Sequence, residues 1–429
     1  MEELKTYRLA DICNSIQTGP FGSQLHKSDY VEFGTPIVMP KDITNGKIND
    51  NNISRISKND VAKLFKHKLV PGNIIYPRRG DISKCALITS KEDGWVCGTG
   101  CIKVDINQQI ANSTYVMYVL CQSETVNWIE SNAVGTTMLN LNTSILSDLP
   151  IKLPSLNTQK KLANIVSSFD NKIALNRRIN DNLEQQAQAL FKSWFVDFEP
   201  FKDGKFVESE MGMIPEEWKV ASLKELVFNT NSGDWGKEEP TGNYTVRVYC
   251  MRGADFPEVK EGNIGKMPIR YILQKNFDNK ALKHGNMIVE ISGGSPTQST
   301  GRAVLIDKIF IDYCENALVC TNFCRSLTIR EKYALFFFLT WQCLYDKKVM
   351  FIYENGSNGL KNLNLNDLLE KETIVIPPLE IIERFNLLTA KLFELKYFNG
   401  SETARLNQIR DTLLPRLMSG ELKINDLNC

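Results

Sequence analysis

Leu139–Pro154 reads LNLNTSILSDLPIKLP, and Leu363–Pro377 reads LNLNDLLEKETIVIP. Leu139-Asn-Leu-Asn142 matches Leu363-Asn-Leu-Asn366 at an offset of 224. Ile151-Lys-Leu-Pro154 matches Ile374-Val-Ile-Pro377 at 223. The correspondence extends outward from both stretches. Leu9-Ala-Asp-Ile12 matches Leu223-Lys-Glu-Leu226, and Gly19-Pro-Phe-Gly22 matches Gly233-Asp-Trp-Gly236, both at 214. Asp42 and Asp255 match at 213, as do Gly72-Asn-Ile-Ile75 and Gly285-Asn-Met-Ile288; Ala86-Leu-Ile88 matches Val304-Leu-Ile306 at 218. One such pair means little. A whole series in constant order, with a slowly drifting offset, means that the chain contains two copies of one fold.

The offset jumps by five between Gly80 and Ala86, where the second copy carries the longer GGSPTQSTGR loop. A repeated scaffold with a rebuilt loop fits two similar modules that read two different things, since loops on rigid scaffolds carry function. Neutral drift in a surface loop is the plain alternative.

Within each copy the first part is short-stranded. Thr35–Pro40, Asn73–Tyr76, Ala86–Thr89 and Cys101–Asp105 are β-rich runs bounded by Gly, Pro and Asn. Asn229–Val248 reads as loop and strand, and a helix is expected over Ser113–Asn132 and over Arg330–Tyr345. The second part is helical and starts just after a Pro. Leu162, Val166, Phe169, Ile173, Asn176, Asn180, Leu183, Ala187, Leu190 and Trp194 alternate steps of four and three. In the other copy Phe385, Leu388, Leu392, Leu395, Asn399, Glu402, Leu406, Ile409 and Leu413 do the same. Both are heptad seams with polar residues near the middle, where polarity fixes register and partner. The expectation is two helices packed on each other, each rising about 57 Å over about 38 residues. Between the halves, Asp197–Pro215 (DFEPFKDGKFVESEMGMIP) mixes Gly, Pro and charge without a period and reads as a linker.

The chain has 429 residues, 42% of them hydrophobic, so it can build several cores and is not a disordered protein. Its 51 Lys and Arg balance 50 Asp and Glu, so any nucleic-acid partner must be met by local patches. Eleven scattered Cys and an N-terminus without an apolar signal core point to free thiols in a reducing cytoplasm. The longest apolar run, Tyr333–Tyr345, is too short for a membrane span and reads as a buried helix.

Catalytic patterns are missing. There is no G-x-x-x-x-G-K-[ST] phosphate cradle and no Asn/Asp-Pro-Pro-aromatic run to hold a target amine. His26, His67 and His284 are far apart and read as surface residues. Cys97/Cys101 and Cys320/Cys324 have zinc-like spacing, but the first pair lies in an apolar strand-like stretch and reads as buried structural thiols. Asp411 with Glu421-Leu-Lys423 mimics a nuclease D…ExK pattern. A nuclease presents such carboxylates from a strand, whereas this Asp lies in a heptad helix.

What remains is binding chemistry. Lys58–Lys84 holds seven Lys or Arg, ending in the turn Tyr76-Pro-Arg-Arg-Gly-Asp-Ile-Ser-Lys84. Arg binds phosphate, or bidentately the O6/N7 edge of guanine. The matching Ile291–Arg302 loop offers hydroxyls, one Gln and one Arg; Gln suits adenine, and Ser or Thr suits base or phosphate. A solvated turn is the bland reading of each loop.

These features resemble the DNA specificity subunit of type I restriction-modification enzymes. Pro154-Ser-Leu-Asn-Thr-Gln159, then Ile165–Asp170 and Ile173, is similar to that family's helix entry. Leu190–Phe198 (LFKSWFVDF) and Met211–Trp218 (MGMIPEEW) resemble its central junction, and Leu413–Leu422 its C-terminal end. The second copy has Pro378-Leu-Glu-Ile-Ile-Glu383 and lacks the Gln. The resemblance implies an α+β protein: two tandem α/β target recognition domains of one duplicated fold, joined by two long antiparallel coiled-coil helices. The implied parts are recognition domain 1 (1–155), a central spacer helix (156–198), a linker (199–217), recognition domain 2 (218–378) and a C-terminal spacer helix (379–429). On this resemblance each domain would read half of a bipartite site on double-stranded DNA, the halves at most about 17 base pairs apart if the helices set the gap. By that resemblance the chain itself would be non-catalytic and hold no cofactor. Its expected partners are two methyltransferase subunits using S-adenosylmethionine and a restriction motor-nuclease using ATP and Mg²⁺, with no membrane. The expected DNA contacts are Lys41, Arg78, Arg79, Ser83 and Lys84 in the first copy. In the second they are Arg252, Ser295, Thr297, Gln298 and Arg302. A two-module protein- or glycan-binding scaffold is the alternative function. An autonomous nuclease is a third reading, and it lacks its carboxylates.

Overall fold

The computed structural model describes residues 4–44, 46–135, 139–295, 297–356, 361–419 and 421. The chain forms two compact units, Met1–Asn171 with Ile409–Cys429, and Lys172–Gln408. Each has its own antiparallel sheet. In the first unit the spatial order is Cys13–Thr18, Cys101–Ile106, Asn73–Pro77, Ala86–Leu87. In the second it is Val227–Ser232, Cys324–Ile329, Asn286–Glu290, Ala303–Leu305, the same order position for position. The matched motifs do matching work. Gly72 and Gly285 donate to Ile88 and Ile306, both at 2.9 Å. The side chains of Asn73 and Asn286 each accept the N–H three residues upstream, at 3.1 and 2.7 Å. Gly19 and Gly233 lie against the chain at equivalent turns: a Cβ there would sit 2.0 Å from the Gly98 oxygen and 2.1 Å from the Thr321 oxygen. Only glycine allows such backbone approach.

Each copy is closed by its own ends. Lys5–Arg8 pairs antiparallel with Pro150–Leu153, and Lys219–Ser222 with Thr373–Ile376. One match needs correction here. Leu141 donates to Arg78 and Leu363 donates to Ile291, both at 2.8 Å. Leu141-Asn142 therefore corresponds to Leu363-Asn364, at an offset of 222 rather than 224. Asn142 and Asn364 then cap the following short helices, accepting N–H groups at 2.9 and 3.2 Å. The repeated Leu-Asn dipeptide made the match slip by one unit.

The helix expected over Ser113–Asn132 is two helices, Ser113–Leu120 and Ser123–Asn132. Gln122 is extended between them, and its amide donates to the Tyr118 carbonyl at 3.2 Å, satisfying the first helix's end. The apolar run forms a helix over Ala334–Asp346 that is largely buried. Asp197–Pro215 is more ordered than its composition suggests. It contains a hairpin, Phe206–Ser209 with Gly212–Pro215. Trp218 packs edge-on against Phe198 and Phe201, with ring centroids 5.3 and 5.0 Å away.

The long helices run Leu156–Phe195 and Leu379–Met418, 40 residues each. Within the second unit their segments pair antiparallel. Asn176 donates to Glu402 at 2.7 Å, Asn180 to the Lys396 carbonyl at 3.1 Å, and Asn399 to the Asn180 side chain at 3.1 Å. Within the first unit Arg410 reaches Asp170 at 2.8 Å. The seam assigned to the second helix is rotated. Leu388 and Leu395 are 53% and 45% exposed, while Thr389, Lys396 and Thr403 are buried in their place. The polar residues win because their bonds are made inside: Thr389 donates to the Phe385 carbonyl, and Lys396 to Glu184 at 2.6 Å.

The Lys396–Glu184 pair gives a pH signature. Burial pushes the Glu184 carboxyl up, but the charge and hydrogen bond of Lys396 outweigh it and hold it below its ordinary value. A depressed folded pKa contributes stability above the unfolded value, lost as pH falls through the folded one. Glu184→Gln should therefore cost about 2 kcal/mol at pH 7, because it takes away the carboxylate to which the buried Lys396 ammonium donates. It should also flatten the acid limb of a denaturation-versus-pH series below about pH 4.5. An acid limb identical to that of the parent chain would rule out this pair as its source.

Candidate nucleic-acid interface

In the first copy the fully buried strand Asn73–Pro77 ends on a residue that cannot donate. Arg78 then donates its N–H to the Gly100 oxygen at 2.6 Å and accepts from Leu141. The chain turns outward at Gly80, which has a positive φ of 82°. Asp81 collects the Ser83 hydroxyl and the Lys84 ammonium, the latter at 2.6 Å, and the Lys84 bond holds its carboxyl below the ordinary value. Ser83 and Lys84 are thus already engaged within the turn. Arg79 is exposed and Arg78 half-buried; among the described residues neither is in an ion pair, and the buried Nε of Arg78 has no hydrogen-bond partner. Lys41 is exposed in the short turn Pro40–Asp42, whose Pro40 ring lies against Gly100. The fold therefore brings Lys41 to the carbonyl-bearing turn that anchors Arg78.

The second copy solves the same position differently. Arg252 makes a two-point contact with Asp255, at 2.8 and 3.0 Å, and donates to the Lys266 carbonyl. Arg302 makes a two-point contact with Glu290, at 2.8 and 2.7 Å, and donates to the Gly253 carbonyl at 3.0 Å. The Glu290 bond raises the Arg302 pKa further. Both guanidinium groups are turned on the protein. Thr297 and Gln298 are exposed at the tip, and the half-buried Ser295 hydroxyl accepts the Gln298 N–H at 3.0 Å. Pro296 lies outside the described residues.

The loop is not a free turn. Ser292–Gly293 pairs with Lys361–Leu363, which pairs with Glu354–Asn355. From beneath, Trp341 donates to the Gly301 carbonyl at 2.7 Å and Tyr345 to the Ser299 carbonyl at 3.0 Å. The apolar helix thus props the loop. Sequence reading found that helix but not its task, because Trp341 lies 40 positions from Gly301 and no period links them.

Cys97, Cys101, Cys320 and Cys324 are all buried. Burial pushes Cys97 and Cys324 to about 12, and Cys101 and Cys320 also above the ordinary thiol range. Asp411 is taken by Arg410 at 2.8 Å and Glu421 by Arg416 at 3.1 Å; Leu422 and Lys423 lie outside the described residues. No described helix is long and apolar enough to cross a membrane.

One copy thus presents at a turn two guanidinium groups with no ion-pair partner among the described residues, and the other a hydroxyl–amide tip on a braced loop. Such groups bind phosphates and base edges. The family model for the type I restriction modification DNA specificity domain matches residues 1–185 and 215–409. The type I restriction enzyme MjaIX specificity subunit of Methanocaldococcus jannaschii is 28% identical over an alignment of 417 positions that covers 91% of this chain and 88% of that one. The HindI specificity subunit of Haemophilus influenzae is 26% identical, covering 98% of this chain and all of its own. The crystal structure of the type I restriction-modification S subunit from M. genitalium shares the fold. Its TM-score is 0.61 at 16% identity, over 97% of this chain and 96% of that one.

Proposed function

This chain belongs to the family of type I restriction-modification DNA specificity subunits, and we propose that its two modules each read one half of a bipartite DNA site. A specificity subunit recognises the DNA target and assembles the complex without catalysing a reaction. The observation that carries the finer reading is the contrast at one position of a repeated scaffold. Half-buried Arg78 and exposed Arg79 have no ion-pair partner among the described residues of the first module; Thr297 and Gln298 stand out on the second. Guanidinium groups suit guanine or phosphate, and an amide suits adenine.

In this reading residues 1–155 and 218–378 are the recognition domains, and the long helices fix the gap between half-sites and dock two methyltransferase subunits. Leu388, Leu395 and Phe398, spaced along one side of the second helix and 45–58% exposed, form an apolar strip of the kind that partners cover. S-adenosylmethionine is held by the methyltransferases, and ATP and Mg²⁺ by a motor-nuclease.

A gel shift on mixed duplexes, with and without methyltransferase subunits, tests the reading against a protein- or glycan-binding scaffold. Retarded complexes that weaken with salt are expected, strongest with the partners present. Absence of any DNA complex at low salt, partners included, would favour the scaffold.

A further inference from the structure

We propose that Glu290 and Glu354 are positioning residues for base reading by the second module: two buried carboxylates that pin both arms of the 291–302 loop and leave its tip to meet DNA. The proposal rests on the reading of that loop given above.

Glu290 closes the base of the loop. Its side chain is 8% exposed and takes the Arg302 guanidinium at two points, while the same guanidinium holds the Gly253 carbonyl. Glu290 and the residues across the base also exchange backbone bonds: its N–H donates to Arg302 at 2.9 Å, and Gly301 donates to it at 2.8 Å. Glu354, 6% exposed, closes the upper part. It accepts the backbone N–H and hydroxyl of Thr300 on the returning arm and the Lys361 ammonium at 2.8 Å. Lys361 is the register partner of Gly293 on the outgoing arm. One carboxylate therefore ties the two arms together through the ribbon.

Burying a carboxylate is costly unless it is fully partnered. Here both are partnered, and both sit at the reading loop. The first copy lacks the Glu290 brace: Pro77 occupies its register position, opposite Cys101 as Glu290 is opposite Cys324. Its shorter turn is held by Asp81 instead. The longer loop carries an amide reader, and bidentate amide recognition needs placement within about 0.5 Å. Preorganisation of this kind converts into discrimination between bases.

The test uses the full chain reconstituted with methyltransferase subunits, and duplexes carrying single base changes in either half-site. Glu354→Gln should reduce discrimination in one half-site about tenfold, within the range one base contact covers, and leave the other half-site and the salt slope unchanged. Arg302→Lys, which keeps charge but loses the two-point fork, should lower the same half-site's discrimination to a lesser degree. Tip variants Thr297→Ala and Gln298→Ala separate the two claims. If they lose discrimination while Glu354→Gln and Arg302→Lys do not, the braces are not positioning residues. Equal loss at both half-sites in Glu354→Gln also overturns the proposal, since that is a general folding defect. If the tip variants themselves change nothing, the loop does not read bases and the underlying reading falls.

Discussion

Gly400→Ala should destabilise the second unit by about 3 kcal/mol, although Gly to Ala inside a helix ordinarily stabilises by about 1 kcal/mol. The reversal comes from one close approach. Gly400 lies within the helix Leu379–Met418, and a Cβ there would sit 1.9 Å from the Glu261 oxygen and 2.5 Å from the Gly262 Cα. Both are backbone atoms of a turn, and Gly262 has a positive φ of 76°. Neither atom can rotate aside as a flexible side chain does, so the turn or the helix must move. Lys396 and Asn399, just upstream on the same helix, are buried in bonds to the first helix that the displacement would strain. Denaturant unfolding followed on the unit's tryptophans measures the effect. A gain in stability for Gly400→Ala would mean that the turn does not rest on the helix as described.

The Arg78→Ala/Arg79→Ala double variant should lose about 1–3 kcal/mol of DNA affinity for each base-edge interaction removed, and fold normally. Folding is safe because what holds the turn is backbone: the bonds to Gly100 and from Leu141 survive truncation. No described carboxylate pairs with either guanidinium, so removing them strands no buried charge. The salt dependence divides the two modes of binding. An arginine that held a phosphate, once truncated, weakens binding to all sequences alike and lowers the salt slope by about one. An arginine that read a base edge, once truncated, relaxes one position of the motif. Binding and salt slope equal to those of the parent chain would reduce the turn to a solvated loop.

The repeat was legible because its punctuation is local. Gly19, Gly72 and Asn73, and Gly233, Gly285 and Asn286, mark turns whose backbone bonds demand those residues, so offsets alone recovered the duplication. The first long helix was legible for a similar reason: apolar and Asn positions fall on one stripe, and Asn180 meets Asn399. The second seam was not, because Thr389, Lys396 and Thr403 are buried while Leu388 and Leu395 face outward. A rule that puts leucine inside fails where polar groups find partners across a helix pair. At the candidate site, which residues the loops carry was readable, and what holds them was not. Arg252 and Arg302 look like free donors in sequence; Asp255 and Glu290 engage them in the fold. Glu354 lies 54 positions from the Thr300 it holds, a distance at which no motif speaks.

The central claim is that each module reads its own half-site, and methylome sequencing tests it most directly. A host would carry the chain with Gly294–Ser299 exchanged for a different tip of equal length, keeping Thr300, Arg302, Glu290 and Glu354. The methylated motif should change in one half only, with the other half and the spacing retained. An unchanged motif, or one altered in both halves, would contradict the account.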